Sequence, residues 1–336
     1  MYILWAIIAF GMLVLVHELG HFTLAKINGV KVEEFSIGMG PKVFNIKGKE
    51  TIYGIRALPI GGFVKMLGEE GKTNDERAFS SKTPGRKLSI IAAGPFMNYV
   101  FAIILFAIIA GVRGYQIPTI DKVEADKPAA QIGLKQGDKI LKANNKKIGT
   151  WEDFVTEVYT ANGKTINIEY ERNGKTNSID ITPVKSIEED RYIIGIYPVV
   201  LSNPSVSQSI KYGFTETNSI VKQTVGFFKI LFTGKASYSD FGGPVSIIRV
   251  TGKAAQAGIV SLMAFAAYLS VQLAIFNIIP FPALDGGWIF LLLFELITRK
   301  KVDDNKVGVI NYIGFALLMT LMVLVTIKDI LHPLKF

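Results

Sequence analysis

The 336-residue sequence predicts an integral membrane protein, mainly α-helical, with four transmembrane helices, a membrane-dipping β-hairpin and an inserted α+β domain. Three observations predict it. Apolar residues make up 49% of the chain and mean hydropathy is +0.34, while charged residues fall to 19%, below the roughly one quarter usual in soluble domains. Four apolar stretches, Tyr2 to Ala25, Leu88 to Val112, Ile259 to Ile279 and Val307 to Ile327, are long enough or nearly so to cross a ~30 Å hydrocarbon core. Between the second and third lies a long polar segment that alternates strand-like and helical patterns.

The first stretch carries no charge from Tyr2 to Val16, no basic region before it and no small-residue cleavage site after it, so it is expected to stay as a spanning helix. It ends in His17-Glu18-Leu19-Gly20-His21. Two His four residues apart lie on one helix face, about 40° apart, so both imidazoles can reach one Zn²⁺, with Glu18 beside it as candidate general base. His17 is about 24 Å of helix rise from the first residue, which sets it a few ångströms inside the far end of the hydrocarbon core. With no Cys in the chain, thiolate ligands, thiolate nucleophiles and disulfides are excluded. Any metal is held by His, carboxylate or water.

The loop from Lys26 to Lys87 is rich in Lys and Arg, as is Arg299-Lys300-Lys301 after the third span. The positive-inside bias puts both in the cytoplasm, and hence the amino terminus and the segment from about Arg113 to Gly258 outside it. Net charge is +9, but the basic residues are scattered, with no aromatic-interleaved stripe, so no nucleic-acid partner is expected. Within the loop, Tyr53 to Met66 reads as a β-hairpin with Gly61 and Gly62 at its turn, dipping into the bilayer. Its open edge offers an extended substrate a strand to pair with; the alternative is a structural cap on the helices. In the second span, Gly94 and Pro95 permit close approach or local unwinding, and Asn98 either faces the site or packs between helices.

The inserted segment reads as strands at Ile117 to Val123, Lys139 to Ala143, Thr165 to Tyr170 and Ser178 to Thr182, with helices at Pro128 to Ile132 and Trp151 to Ala161. The string from Lys127 to Asn144, with Gly133-Leu134 and Gly137-Asp138, resembles the PDZ domains of bacterial proteases. That resemblance implies an α+β PDZ domain over 113–186 with a peptide groove between Ile117 to Ile120 and the helix at Trp151 to Ala161. The alternative is a spacer that only blocks access. The region 187–257 follows, with an amphipathic pattern from Ser205 to Gly234 that suits helices lying on the outer membrane surface or packed on protein.

A catalytic zinc takes three protein ligands and an open position. The remaining His, His332, lies beyond the fourth span and on the outer side. In Asn277-Ile-Ile-Pro280-Phe-Pro282-Ala-Leu-Asp285-Gly286-Gly287 two prolines break the third span, and irregular backbone at membrane depth belongs inside protein or beside a water-filled cavity. Asp285 is therefore the expected third ligand, with Glu295 as competitor. Trp288 to Ile297 reads as a continuation of the third crossing or an interfacial helix.

His17-Glu18-Leu19-Gly20-His21 together with Asn277 to Gly287 resembles the site-2 protease family of intramembrane zinc metalloproteases, in its bacterial branch with a PDZ insert between the second and third spans. The resemblance runs along nearly the whole chain, divided as 1–112, 113–186, 187–257 and 258–336. It implies hydrolysis of peptide bonds within or near transmembrane helices in the bacterial cytoplasmic membrane, with anti-sigma factors and signal-peptide remnants among the substrates. By the same resemblance, Asn277 bonds the substrate backbone and Gly94 to Asn98 matches a further motif with Asn98 facing the site; on the hairpin, Gly61, Gly62 and Phe63 are expected to meet the substrate. Gly242-Gly243-Pro244 resembles a family loop of open role. The chain has one PDZ domain where the best-known Gram-negative members have two, which bears on substrate sizing. Zn²⁺ on His17, His21 and Asp285 with Glu18 as base is the expected machinery. A PDZ-bearing membrane receptor or scaffold is the alternative, but it has no chemical need for Glu18. A membrane zincin cutting soluble loops would need another third ligand.

Overall fold

The computed structural model describes residues 2–69, 71, 73–186, 191–233 and 242–332. The chain divides into two compact units, Met1–Ala102 with Phe228–Phe336, and Ile103–Phe227.

In the first unit the leading apolar stretch forms α1 (Tyr2–Ile27), apolar all round in its first half. Leu4, Trp5, Ile7, Ile8 and Met12 are exposed along it, as on a helix solvated by lipid rather than water. It leads into β1 (Val32–Lys47) and β2 (Ile52–Met66), joined by a turn in which the Gly48 amide donates to the Thr51 carbonyl at 2.9 Å. The turn between β1 and β2 is thus at Gly48 to Thr51, while Gly61, at φ +80°, and Gly62 lie within β2 where it folds back between Ile55 and Gly62; at Gly62 space matters as well. A β-carbon on Gly62 would stand 3.0 Å from Glu18 Cγ and 3.0 Å from Val14 Cγ1 of α1, so the bare backbone is what lets the strand pass the helix.

The two strands fold back on themselves. Val32 to Ile37 pairs with Gly62 to Met66 and also registers with Ile52 to Ile55, which in turn meets Phe44 to Lys47. β1 reverses at Gly38 and Gly40, both at positive φ. Among the described residues, the Gly62 to Met66 run has no strand on its other edge. Glu34, buried near the centre, accepts from Ser36 Oγ at 2.7 Å and Arg56 Nη2 at 2.8 Å, with Lys42 Nζ at 3.1 Å. Burial alone would raise its pKa, but these donors hold the carboxyl down at about 2.

Then come α2 (Pro84–Arg113), which straddles the two units, and, in the second unit, β3 (Tyr115–Val123), α3 (Pro128–Gln131), β4 (Lys139–Ala143), β5 (Lys146–Lys147), α4 (Trp151–Thr160), β6 (Ile166–Arg172), β7 (Lys175–Ile181), β8 (Val184–Ser186), β9 (Arg191–Ile193) and β10 (Ile196–Leu201). Its sheet runs β10-β3-β4-β6-β7, with β5 on β4, over a core of Ile120, Ile140, Phe154, Ile166, Ile168 and Ile181. The expected strands and helices are all present, but the domain does not end at 186. β10 pairs antiparallel with β3, so β3 is an inner strand and the expected groove beside it is occupied. The cavity, about 690 Å³, lies instead between α4 and the β9–β10 segment, lined by Trp151, Val155, Tyr159, Ile194 and Ile196. Thr150 and Asp153 form a capping box that starts α4. Asp138, fully buried, takes a two-pronged contact from Arg172, Nε to Oδ1 and Nη2 to Oδ2, both at 2.6 Å.

The amphipathic stretch forms one helix, α5 (Val206–Phe232), that also straddles the units; the final residue of the expected segment, Gly234, lies outside the described residues. The first unit resumes with α6 (Pro244–Gln256), α7 (Ile259–Ile278), α8 (Asp285–Thr298) and α9 (Asp304–Leu331). α8 is a helix of its own that begins at Asp285. Gly243 caps α6 and Pro244 opens it. Asp329 of α9 accepts from the Ser246 amide at 2.6 Å and from the Ser246 hydroxyl, which ties the first turn of α6 to α9. Four helices among the described residues are long and apolar enough to cross a membrane: Ile7–Ile27, Pro84–Arg113, Ile259–Ile278 and Lys306–Leu331.

Candidate metal centre

His17 and His21 project from one face of α1 toward Asp285, the first residue of α8. Their Nε2 atoms are 3.2 Å apart and lie 3.1 Å (His17) and 3.4 Å (His21) from Asp285 Oδ2. Four ligand atoms set tetrahedrally at ~2.0–2.1 Å from Zn²⁺ are separated by about 3.3–3.4 Å, so the three measured edges fit one face of such a shell. The chemistry of the atoms fits as well. Asp285 Oδ2 is buried and has no hydrogen-bond donor aligned on it, although two imidazoles are close by. The three ligand atoms form a group that could hold one metal ion.

α2 makes this possible from behind. Gly20 of α1 has no side chain because a β-carbon there would sit 2.3 Å from the Ala93 carbonyl oxygen, so α1 and α2 touch backbone to backbone. Ile90, Gly94 and Asn98 follow at intervals of four on one stripe of α2. The Ile90 carbonyl accepts from His21 Nδ1 at 2.9 Å, Gly94 leaves room for both rings, and the Asn98 amide lies 3.3 Å from His17 Nδ1. A carbonyl only accepts, so His21 carries a proton on Nδ1 and, as a neutral ring, presents Nε2 as a lone pair. Pro95 in the same turn removes the amide that would bond the Ile91 carbonyl.

Asp285 owes its place to the residues around it. The glycines that follow it pack against backbone: β-carbons there would meet the Ile279 carbonyl at 2.0 Å and the Phe281 carbonyl at 2.6 Å. Ala283 holds φ at +71°, a left-handed conformation unusual for alanine, and its amide donates to Asn311 Oδ1 of α9 at 3.3 Å. Gly314, one turn on, abuts Pro282 with no space for a side chain. At the N-terminus of α8 the carboxylate also gains from the helix dipole.

Glu18 sits half-buried between the two histidines in sequence, and Gly62 of β2 passes directly beside it. Asn277 lies half-buried on the last turn of α7. Phe63 receives the Arg56 guanidinium over its ring at 4.5 Å, and Gly61 abuts Met39. Asn98 departs from the expectation: it is wholly buried, with its amide on His17, and so has no surface to offer a substrate. Glu295, the competing ligand, is at the other end of α8, accepting from the Val302 amide at 3.0 Å. Among the described residues, His332 is not part of the converging group. Asn311, Ser270 and the Ile90 carbonyl were not legible as site components; a polar amide inside the fourth apolar stretch was the one signal that pointed to Asn311.

The sequence profile described as "Peptidase family M50" matches residues 5–321. A Clostridium acetobutylicum protein provisionally named a zinc metalloprotease is 52% identical over 331 residues, 98% of each chain. The zinc metalloprotease RasP of Geobacillus kaustophilus is 34% identical, covering 96% of each chain. Among solved structures, the PDZ domain of an SdrC-like protein from Listeria monocytogenes is 26% identical over 25% of this chain and 90% of that one, with a TM-score of 0.23. The chain belongs to peptidase family M50, the site-2 proteases that its two widely separated motifs resemble.

Proposed function

We propose that the protein is an intramembrane zinc metalloprotease of a bacterial cytoplasmic membrane, hydrolysing peptide bonds within or near the transmembrane segments of other membrane proteins. The observation that carries this reading is the meeting of His17, His21 and Asp285 beside Glu18 on helices apolar enough to span a bilayer. His17, His21 and Asp285 would hold Zn²⁺. When bound, zinc supplies a Lewis acid for the scissile carbonyl and brings the pKa of a coordinated water to ~7. Glu18, one residue from His17 on the same helix, takes the proton from the attacking water and delivers it to the leaving amine.

A helical substrate hides its carbonyls, so it must be extended before it is cut. The edge of β2 from Gly62 to Met66 suits that task, because its free side adds a strand and Gly62 brings that strand past Glu18. Asn277 would bond the extended backbone, and Gly61 and Phe63 would flank it. The positive-inside bias sets β1 and β2 at the cytoplasmic face, dipping into the bilayer, and the inserted unit outside. That unit is read as a PDZ domain whose cavity between α4 and β10 admits a peptide by strand addition on β10 and limits access to substrates. Anti-sigma factors and signal-peptide remnants are the substrate types considered first.

The test is cleavage of a model transmembrane substrate in liposomes, with zinc content measured alongside. Glu18→Gln is expected to keep its zinc and lose cleavage by about 10²–10⁴-fold, whereas Asp285→Asn is expected to lose both. Wild-type cleavage rates in Glu18→Gln would overturn the mechanism.

A further inference from the structure

We propose that Asn98 is a positioning residue for the metal: its side-chain carbonyl accepts a hydrogen bond from Nδ1–H of His17 and so keeps the Nε2 lone pair of that ring turned to the metal point. The inference rests on the reading of His17, His21 and Asp285 as a zinc site.

Asn98 is completely buried, so its side chain acts only on its neighbours. Among the described residues its side chain makes one hydrogen-bond contact, to His17 Nδ1 at 3.3 Å, and its other amide end, Oδ1, is a buried acceptor without a donor. The two ends of an amide have the same shape, and the choice between them follows from the hydrogen bonds they make. With Nδ2 turned to His17, Nδ1 must accept, and the ring proton is forced onto Nε2. That proton then points at His21 Nε2 and Asp285 Oδ2, a hydrogen-bonded arrangement closed to a cation. With Oδ1 turned to His17, Nδ1 carries the proton and Nε2 is a lone pair.

His21 shows the second arrangement already fixed. Its Nδ1 is bonded to the Ile90 carbonyl, which has no donor state, and its Nε2 faces Asp285. Ile90 and Asn98 lie two helical turns apart on the same stripe of α2, with Gly94 between them. One histidine is therefore oriented by a backbone carbonyl and the other by a side-chain carbonyl of the same helix. The Asn98 backbone is itself held: its carbonyl accepts from Ser270 Oγ of α7 at 2.8 Å, and Ser270 is also fully buried. An amide has a property that neither a carboxylate nor an apolar group shares. It donates to His17 when the ring proton is on Nε2 and, after a half-turn, accepts when a metal needs that nitrogen.

The experiment uses the full-length protein in detergent micelles. Zinc affinity is measured by chelator competition for wild type, Asn98→Leu and Asn98→Asp; cobalt(II)-substituted absorption reports ligand geometry, and thermal unfolding checks folding. Asn98→Leu keeps the volume and removes the acceptor, and is expected to weaken zinc binding 10- to 100-fold, as loss of an outer partner of a ligating histidine does, and to alter the cobalt spectrum. Asn98→Asp keeps an acceptor and is expected to restore both affinity and spectrum. Zinc affinity unchanged in Asn98→Leu overturns the inference while leaving the zinc site standing. An Asn98→Asp that unfolds like wild type yet binds zinc as poorly as Asn98→Leu overturns the acceptor role. A wild type without zinc at the triad overturns the proposed function and this inference together.

Discussion

Gly94 faces His21 across the α1–α2 contact so closely that a β-carbon on it would stand 2.4 Å from His21 Nε2, and 2.7 Å from His17 Cε1. His21 cannot swing away cheaply, because its Nδ1 is tied to the Ile90 carbonyl. Gly94→Ala therefore trades a helix gain of ~1 kcal/mol for a displaced ligand. The expected outcome is a zinc content below about a tenth of wild type with matching loss of cleavage, beside a stability loss of ~1–3 kcal/mol from the displaced ring. A helix-packing role alone would lower stability and leave zinc in place. Zinc analysis beside thermal unfolding separates the two.

The third ligand depends on a contact twenty-six residues further along the chain. Asn311 Oδ1 accepts from the Ala283 amide, two residues ahead of Asp285, where alanine is held at φ +71°. Asn311→Leu removes that acceptor, a loss of ~0.5–1.5 kcal/mol for one hydrogen bond, and frees the loop that presents Asp285. Weaker zinc retention is expected, together with a lower unfolding temperature. Ala283→Gly keeps the bond and removes the side chain's objection to a left-handed backbone, so it should unfold at the same or a higher temperature, by up to ~1 kcal/mol, with its zinc retained. If Asn311→Leu holds zinc as tightly as wild type, α9 does not position the ligand.

These contacts mark where the sequence stops being readable. His17, Glu18, His21 and Asp285 could be picked out because zinc chemistry restricts residue type, and a charge or imidazole in an apolar run stands out. Their convergence could not be derived from spacing, since Asp285 arrives through a break at Pro280 and Pro282 whose geometry is set by Asn311, Gly314 and bare backbone at Gly286 and Gly287. Gly61 and Gly62 illustrate a real ambiguity. Paired glycines signal a turn or a close approach equally well, and here Gly61 serves the reversal of β2 while Gly62 serves the passage of a helix some forty residues upstream. The end of the inserted domain was missed for another reason. Pro198 within Ile196 to Leu201 argues against a strand, yet β10 is at the sheet's edge, where a missing amide is tolerated.

Where α4 begins, half-buried Glu152 of α4 lies near buried Glu216 of α5 within the second unit. Glu216 is 6% exposed, and its Oε2 has no hydrogen-bond partner; Glu152 Oε2 is also buried without one. Burial first, and then the neighbouring Glu152 and Asp153 charges, push the Glu216 carboxyl up to about 8, while burial also raises Glu152. The groups facing them are Asp153 of α4, Tyr115 of β3 and Tyr212 of α5, whose own hydroxyl is raised by burial and by Glu216. The helices meet at Ser219, which donates to Asp153 and receives Gln223 Nε2 at 3.0 Å. A carboxyl raised in the folded state binds its proton more tightly there than in the unfolded chain. Its contribution to stability is complete below the unfolded value near 4.5 and is lost as pH rises through about 8. Hydrogen–deuterium exchange of the full-length protein, corrected for intrinsic rates, should show amides 151–156 and 217–223 losing protection between pH 5 and pH 8. Glu216→Gln, which stays neutral, should flatten that profile. A pH-independent profile in wild type, or an equally steep one in Glu216→Gln, would show that Glu216 does not hold its proton at the α4–α5 contact.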